Sequence, residues 1–271
     1  MALPLRDDLP TRRFPWITLA LIVVNVVVFL FVQPAGFQSG NDRNDPYLER
    51  LQKERGATEF SLRYGAVACE LRTGEALADH PAGCDELSPA DLGPARLPTG
   101  KAIFLTLLTC MFLHGSIAHL GGNMLFLWVF GNNVEDRLGP VRYLLLYLLG
   151  GMAGTWGFVL ANPRAAVPLI GASGAIAAAM GAYLALFPRG RILTAIATAA
   201  FQVVYVPAAV VLILFFVTQF LTPGEEVAWE AHVGGMIAGF VAALVLARTP
   251  WVRRRAEADR ADIALRAGAD F

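Results

Sequence analysis

The stretch Ile170-Gly171-Ala172-Ser173-Gly174-Ala175-Ile176-Ala177-Ala178-Ala179-Met180-Gly181-Ala182-Tyr183-Leu184-Ala185-Leu186-Phe187 decides the fold class. It holds no charged side chain, and its length lies within the roughly 17–25 residues that a helix needs to cross hydrocarbon. Small residues dominate it, and in membranes these are the residues that let helix backbones approach one another. Near its head stands one serine, Ser173. A polar side chain is costly inside hydrocarbon, so Ser173 is a functional-site candidate by default.

Working outward, other apolar runs of spanning length appear at Pro15–Val32, at His119–Gly131 running on toward Val134, at Tyr143–Leu160 and at Trp229–Ala247. A longer stretch, Ile192–Leu221, is interrupted by Pro207, which places a span at about Tyr205–Leu221. The run Ile103–Leu113 is too short to cross. The expected fold is therefore an all-α polytopic membrane protein of six transmembrane helices. Composition agrees: the chain is 56% hydrophobic and 16% charged, against roughly 25% charged in ordinary globular chains, and its mean hydropathy is +0.52. A formal net charge of zero argues against a nucleic-acid partner.

Arg12 and Arg13 ahead of the first apolar run look like a signal peptide, but the run is long and no A-x-A site follows, so it reads as a retained signal anchor. With the N-terminus inside, Arg6, Arg12, Arg13, Arg137, Arg142, Arg189, Arg191 and the tail arginines Arg248 and Arg253–Arg255 are cytoplasmic, whereas the short outer loops carry Arg164 and the acidic pair Glu225 and Glu226. The expected organisation is a cytoplasmic N-terminus over 1–14, a membrane domain over 15–247 with a long outer loop over 34–101, and a cytoplasmic tail over 248–271, in the cell's inner membrane. Within the outer loop, alternating charges over Pro46–Arg63 predict a solvated helix, followed by a Gly/Pro-rich portion. Cys69 and Cys84 lie in this loop; on an oxidising face they form a bridge, and otherwise they are two free thiols. Cys110, in an apolar run, is expected to stay free.

In this topology the spans that begin near His119 and Asn123, near Ser173 and near His232 all run from outside to inside. Their polar groups share one membrane face, an agreement that charge counting did not require. A lone serine is more often a packing residue, and the nucleophile-elbow pattern G-x-S-x-G is not met, because Ala175 stands at its last position. Gly235 and Gly239 leave one face of the last span bare, and Gly174 and Gly181 act similarly in the span of Ser173. Close backbones are what a Ser–His hydrogen bond of about 2.6–3.2 Å across two helices requires. His119 and Asn123, four residues apart, share a helix face and suit either interhelical bonding or donation to a developing oxyanion. A metal site built on His114, His119 and His232 is the rival, without an H-E-x-x-H pattern to support it.

These residues resemble those of bacterial rhomboid intramembrane serine proteases. Four matches carry the likeness over about residues 105–245: His114-x4-His119-x3-Asn123; Gly131-x3-Glu135-x3-Gly139 followed by Tyr147 and Gly150-Gly151; Gly171-Ala172-Ser173-Gly174; and Ala231-His232-x2-Gly235-x3-Gly239. The resemblance implies a six-span rhomboid-like bundle in which Ser173 is the nucleophile and His232 the general base, without an acidic third member. Asn123 and His119 would join the Ser173 backbone N–H in an oxyanion hole. Gly171, Gly174, Gly235, Gly239 and His114 would give structural support, as would Glu135 at the inner side. It further implies transmembrane protein substrates entering from membrane lipid near spans two and five, and no metal or organic cofactor. Two positions depart from the family pattern: Leu105-Thr106 stand where many members have Trp-Arg, and Ala177 stands where several have an aromatic against the base histidine. Two other readings compete. A catalytically silent rhomboid-like protein would bind or escort membrane clients; a transporter or channel would more typically show repeated halves and broken helices, and no repeat is visible.

Overall fold

Residues 2–39, 47–79, 82–85, 87, 95–197, 201–221 and 228–258 are described by a computed structural model. In chain order the main elements are β1 (Ala2–Asp7), α1 (Trp16–Val27, continued as a π turn through Val32), α2 (Tyr47–Tyr64), β2 (Ala66–Val67), α3 (Ile117–Leu138), α4 (Pro140–Ala161), β3 (Pro168–Leu169), α5 (Ser173–Leu186), β4 (Arg191–Ala197), β5 (Phe201–Pro207), α6 (Ala208–Leu221) and α7 (Trp229–Ala247). A bent segment of short helical turns, Ile103–Phe112, precedes α3.

The stretch Ile170–Phe187, through its helix α5, is the centre of the packing. Every residue of α5 from Gly174 to Tyr183 is buried, with α7 and α4 packed along it and α3 beside them. Side chains no larger than methyl groups over much of α5 permit this. A Cβ at Gly235 would collide with the Gly174 carbonyl, one at Gly239 with the Ala178 carbonyl, and one at Gly181 with the Met236 carbonyl. The three glycines thus let two helices touch backbone to backbone, as small residues do in membrane bundles. At the junction of α3 and α4, Gly139 takes φ 81° and Pro140 opens the next helix, where its missing N–H costs nothing.

Among the described residues two helices, α4 and α7, are long and apolar enough to cross a membrane, and a third crossing results if Ile103–Phe112 and α3, bent by 82° at their break, are counted as one. Three further apolar helices, Trp16–Val32, Ser173–Leu186 and Ala208–Thr218, are shorter. The bundle is mostly helical, but the expectation of an all-α fold is corrected by two small sheets. One is three-stranded and antiparallel in the order β1-β4-β5; the other pairs β2 with β3. Strands β4 and β5 of the first occupy the start of the apolar stretch Ile192–Leu221, so Tyr205–Pro207, expected to begin a span, instead ends a strand. Short apolar runs do not distinguish strand from helix by periodicity, and this one is rich in β-branched residues. The helix expected over Pro46–Arg63 is present as α2. Cys69 and Cys84 form a disulfide with Cα atoms 5.6 Å apart, and Cys110 is free and buried.

The end of the bundle away from Ser173 is tied by carboxylates. Glu135 accepts the N–H groups of Ile17 (2.9 Å) and Thr18 (2.8 Å) together with the Thr18 hydroxyl (2.8 Å). It satisfies the first orphan donors of α1 from another helix. Asp136 beside it accepts from the Arg12 N–H and from the Arg13 guanidinium at 2.8 Å.

Candidate active site

Ser173 is the first residue of α5. The opening N–H groups of a helix have no intrahelical acceptor and carry the positive end of its dipole; Ala172 ahead of them supplies no side-chain cap. The chain reaches this point through Gly171, whose φ of 132° is a shape that L side chains rarely adopt and whose N–H donates to the Cys110 carbonyl at 2.9 Å. A Cβ on Gly171 would lie 3.0 Å from Cε1 and Nε2 of His119 and 3.6 Å from Oγ of Ser173. The missing side chain is therefore what leaves space where the imidazole and the hydroxyl meet.

His119 is set by the start of α3. Ser116 caps that helix, its Oγ accepting from the His119 N–H at 3.1 Å. Nδ1 of His119 accepts from the Gly115 N–H at 3.4 Å, so in the neutral ring the proton sits on Nε2, the nitrogen that faces Gly171. Edge-on to it, at 5.2 Å between ring centroids, lies the fully buried ring of His114. The His114 backbone is held from both sides by Gln33, which accepts its N–H and donates to its carbonyl, each at 2.9 Å. Gln33 had no signature in the sequence beyond following an apolar run. One turn along α3, the amide nitrogen of Asn123 is buried and has no hydrogen-bond acceptor among the described residues. An unmade bond of this kind costs about 1–3 kcal/mol, and it leaves the amide able to donate to a bound group.

His232 lies in the first turns of α7 and is buried. Its neighbour Ala231 has its carbonyl oxygen 3.6 Å from the Cβ position of Gly174, next to Ser173, while Gly235 crosses the Gly174 carbonyl. The two helices thus touch within a residue of both side chains. The ring of Phe215, from α6, stands 5.8 Å from that of His232 and tilted by 44°, and it also meets Phe126 of α3 at 5.0 Å. Ala177 leaves the position one turn after the serine without an aromatic, and Phe215 supplies one from a different helix. Sequence reading missed it, because a phenylalanine in an apolar helix carries no mark. It also passed over Glu230, which sits two residues before His232, on another side of the helix, and accepts from the Asn162 amide at 3.0 Å. Among the described residues no group of three His, Cys, Asp or Glu side chains could hold a metal ion.

Residues 101–249, more than half of the chain, match the rhomboid domain. The chain belongs to the rhomboid family. It is 37% identical over 142 residues to the Rhomboid protease GluP of Bacillus subtilis (strain 168), a match covering 52% of this chain and 25% of that protein. Against RHOMBOID-like protein 6, mitochondrial, of Arabidopsis thaliana it is 31% identical over 245 residues, covering 89% of this chain and 71% of the relative. Rhomboid protein 1, mitochondrial, of Saccharomyces cerevisiae is 36% identical over 93 residues, 33% of this chain and 27% of that one. The rhomboid match thus spans a quarter of the length of the GluP protein and most of the plant relative. The rhomboid domain match over residues 101–249 contains Ser173, His232, His119 and Asn123 and begins after α2 and the Cys69–Cys84 disulfide, whereas the match to the plant relative takes those in.

Proposed function

We propose that this rhomboid is a serine endopeptidase that hydrolyses peptide bonds in or near the transmembrane segments of membrane proteins. The observation that carries the reading is the backbone crossing of α5 and α7 at Gly174 and Gly235, which brings the helix turns of Ser173 and His232 together beside the His119 imidazole. In the reaction, Ser173 Oγ attacks the carbonyl carbon of an extended peptide while His232 takes the hydroxyl proton. The oxyanion receives hydrogen bonds from the Ser173 N–H, the His119 Nε2–H and the Asn123 amide, donors that need no reorganisation at the moment of reaction. Collapse expels the amine, which leaves with the proton from His232, and water then clears the acyl-enzyme. No metal or organic cofactor takes part in these steps.

The same reading places the chain in the cell's inner membrane as six crossings with both termini cytoplasmic. Arginines in the inner loops support this, and α1, α5 and α6 become the three shorter crossings. Ser173 then lies toward the outer face, within reach of water. Membrane proteins entering from lipid are the substrates, and nucleic acid is not a partner.

A fluorophosphonate probe tests the chemistry directly. Ser173 Oγ displaces fluoride and forms a phosphonyl ester, and mass analysis of the labelled peptide locates it. Labelling of wild type that disappears in Ser173→Ala supports the endopeptidase. A folded wild-type protein that takes no label and cuts no membrane reporter has the alternative function of binding or escorting clients.

A further inference from the structure

We propose that residues 62–79 and 82–85, joined by the Cys69–Cys84 disulfide, are a positioning element for the loop that delivers Ser173, and that this bond sets the rate of the site; the proposal rests on the reading of Ser173 as nucleophile. Between α4 and α5 the chain runs from Asn162 to Ala172 without a helix. Loops of this kind are the mobile parts of a fold, yet this one must hold Gly171 and the first N–H of α5 in place. Residues 62–79 and 82–85 grip it along almost its whole length. The Arg72 guanidinium donates to the Pro163 carbonyl at 2.9 Å. The Asp85 N–H donates to the Arg164 carbonyl at 2.9 Å, and the Cys69 N–H donates to the Ala165 carbonyl at 3.1 Å. The Arg164 guanidinium returns to the Asp85 carboxylate at 3.1 Å. Ala166 is buried with Leu62, Val67 and Leu77. Ala66 and Val67 then pair with Leu169 and Pro168 as β2 and β3, and the absent side chain of Gly65 makes room for Pro168 and Ile170, each with an atom 3.0 Å from its Cβ position.

The disulfide is placed where this grip divides. Cys69 holds the carbonyl of residue 165, and the neighbour of Cys84 holds that of residue 164. Two arms separated by fifteen positions in the chain therefore hold adjacent peptide groups, and the bond joins the arms at that point. The segment is in turn fixed to the bundle. Glu70, next to Cys69, forms a buried ion pair with Lys101 and accepts the Leu77 N–H at 2.9 Å, and the Thr109 hydroxyl donates to the Tyr64 carbonyl at 2.6 Å. Thr109 precedes Cys110, whose carbonyl accepts the Gly171 N–H. The loop is thus clamped between two faces that are themselves joined. Cleaving the disulfide frees the arm at residues 83–85, releases the carbonyl of Arg164, and lets the approach to Gly171 move. Misplacement by about 1 Å costs catalysis up to the order of a hundredfold.

The test uses the full chain in liposomes with a transmembrane reporter and the fluorophosphonate probe. A dithiol reductant supplies two electrons and two protons to Cys69 and Cys84 and itself closes to a cyclic disulfide. The expected result is a fall of about tenfold in kcat and in the labelling rate of Ser173, with KM changed less than about twofold, and recovery on reoxidation. Cys69→Ser with Cys84→Ser should match the reduced protein and ignore reductant. Asp85→Ala, which frees the Arg164 side chain, should give a smaller loss of about threefold. Reduction of already folded protein keeps the test valid if the double serine variant fails to fold. The proposal is overturned if protein with all three cysteines shown by mass to be thiols labels at the oxidised rate, if only KM rises, or if the lost labelling tracks loss of monodisperse protein. No labelling of oxidised wild type would instead sink the reading of the site itself.

Discussion

Helices α5 and α6 are consecutive and of equal length, yet they are held in opposite ways. From Gly174 to Tyr183, α5 is buried on all sides. Helix α6 presents Val210, Ile213, Leu214 and Val217 outward and touches the site chiefly through Phe215. The contrast separates two demands that the proposed endopeptidase would make. A nucleophile needs a backbone that does not move, and close packing of small residues gives it one. A substrate embedded in lipid would need a side that can give way, and on the proposed reading α6, with its apolar outer face, would be that side. His232 is served by both, its backbone fixed against α5 and its ring faced by α6.

The harshest way to break the contrast is to add bulk where α5 meets α7. Gly239→Leu places a side chain where the Ala178 carbonyl stands, so the helices must separate over several turns. Overpacking of this kind costs about 1–3 kcal/mol in ordinary cores and more against backbone, and here it should abolish folded, monodisperse protein. Val210→Leu on the open face of α6 should leave thermal unfolding within about 2 °C of wild type. Equal tolerance of both would mean that α5 is not the rigid member.

Next in size is the loss of a donor. Asn123→Ala should reduce kcat by about 10–1,000-fold with little change in KM, because its amide would act only in the transition state and other donors remain. Cleavage at the wild-type rate would remove Asn123 from the site. Phe215→Ala follows, with a loss of about three- to tenfold, as one ring contact of about 0.5–1.5 kcal/mol is removed from His232. Phe215→Leu should restore most of the loss if packing volume is what the ring supplies, and none if its aromatic face is needed; kcat measured for the three proteins separates these.

The sequence made α5 legible and left much of α6 unread, for one physical reason. Apolar runs report burial in lipid or protein, and the runs that hold α5, α7 and α4 each form one uninterrupted helix. The run Ile192–Leu221 was equally apolar, but nothing in it separated the β4–β5 hairpin from the helix beyond Pro207. Ser173, His119, Asn123 and His232 were readable as candidates because polar groups in apolar helices stand out. Phe215 and Gln33 were not, since a phenylalanine in a helix and a glutamine after one are ordinary. The pairing of β2 with β3 joins two-residue strands far apart in the chain, too short to leave a pattern. For the cysteines, spacing allowed either a bridge or two thiols, and only the fold brings their Cα atoms within 5.6 Å.

The smallest expected effect concerns the tether between the fixed helix and the open one. Asp7, at the end of β1, accepts from the Tyr183 hydroxyl of α5 at 3.1 Å and from the Asn133 amide of α3. Strand β1 pairs with β4, the hairpin leads directly into α6, and the Ala208 N–H is held by the Gly190 carbonyl at 2.9 Å. Burial, with help from the charge on Asp8, raises the Asp7 carboxyl from 3.8 to about 6, against the pull of the Tyr183 hydrogen bond. A folded-state value above the unfolded one means that the native chain takes up the proton first. Stability of the docked strand should therefore rise as pH falls through about 6 and level off below 3.8. Hydrogen exchange of the β1 amides, corrected for intrinsic rates, reads this out. Protection should increase by no more than roughly tenfold between pH 7.5 and 5, since Asp7 is only partly buried and solvent screens it. Asp7→Asn should be protected alike at both values. If wild type is also flat, Asp7 does not titrate in this range, and the tether between α5 and the strands leading to α6 is insensitive to pH.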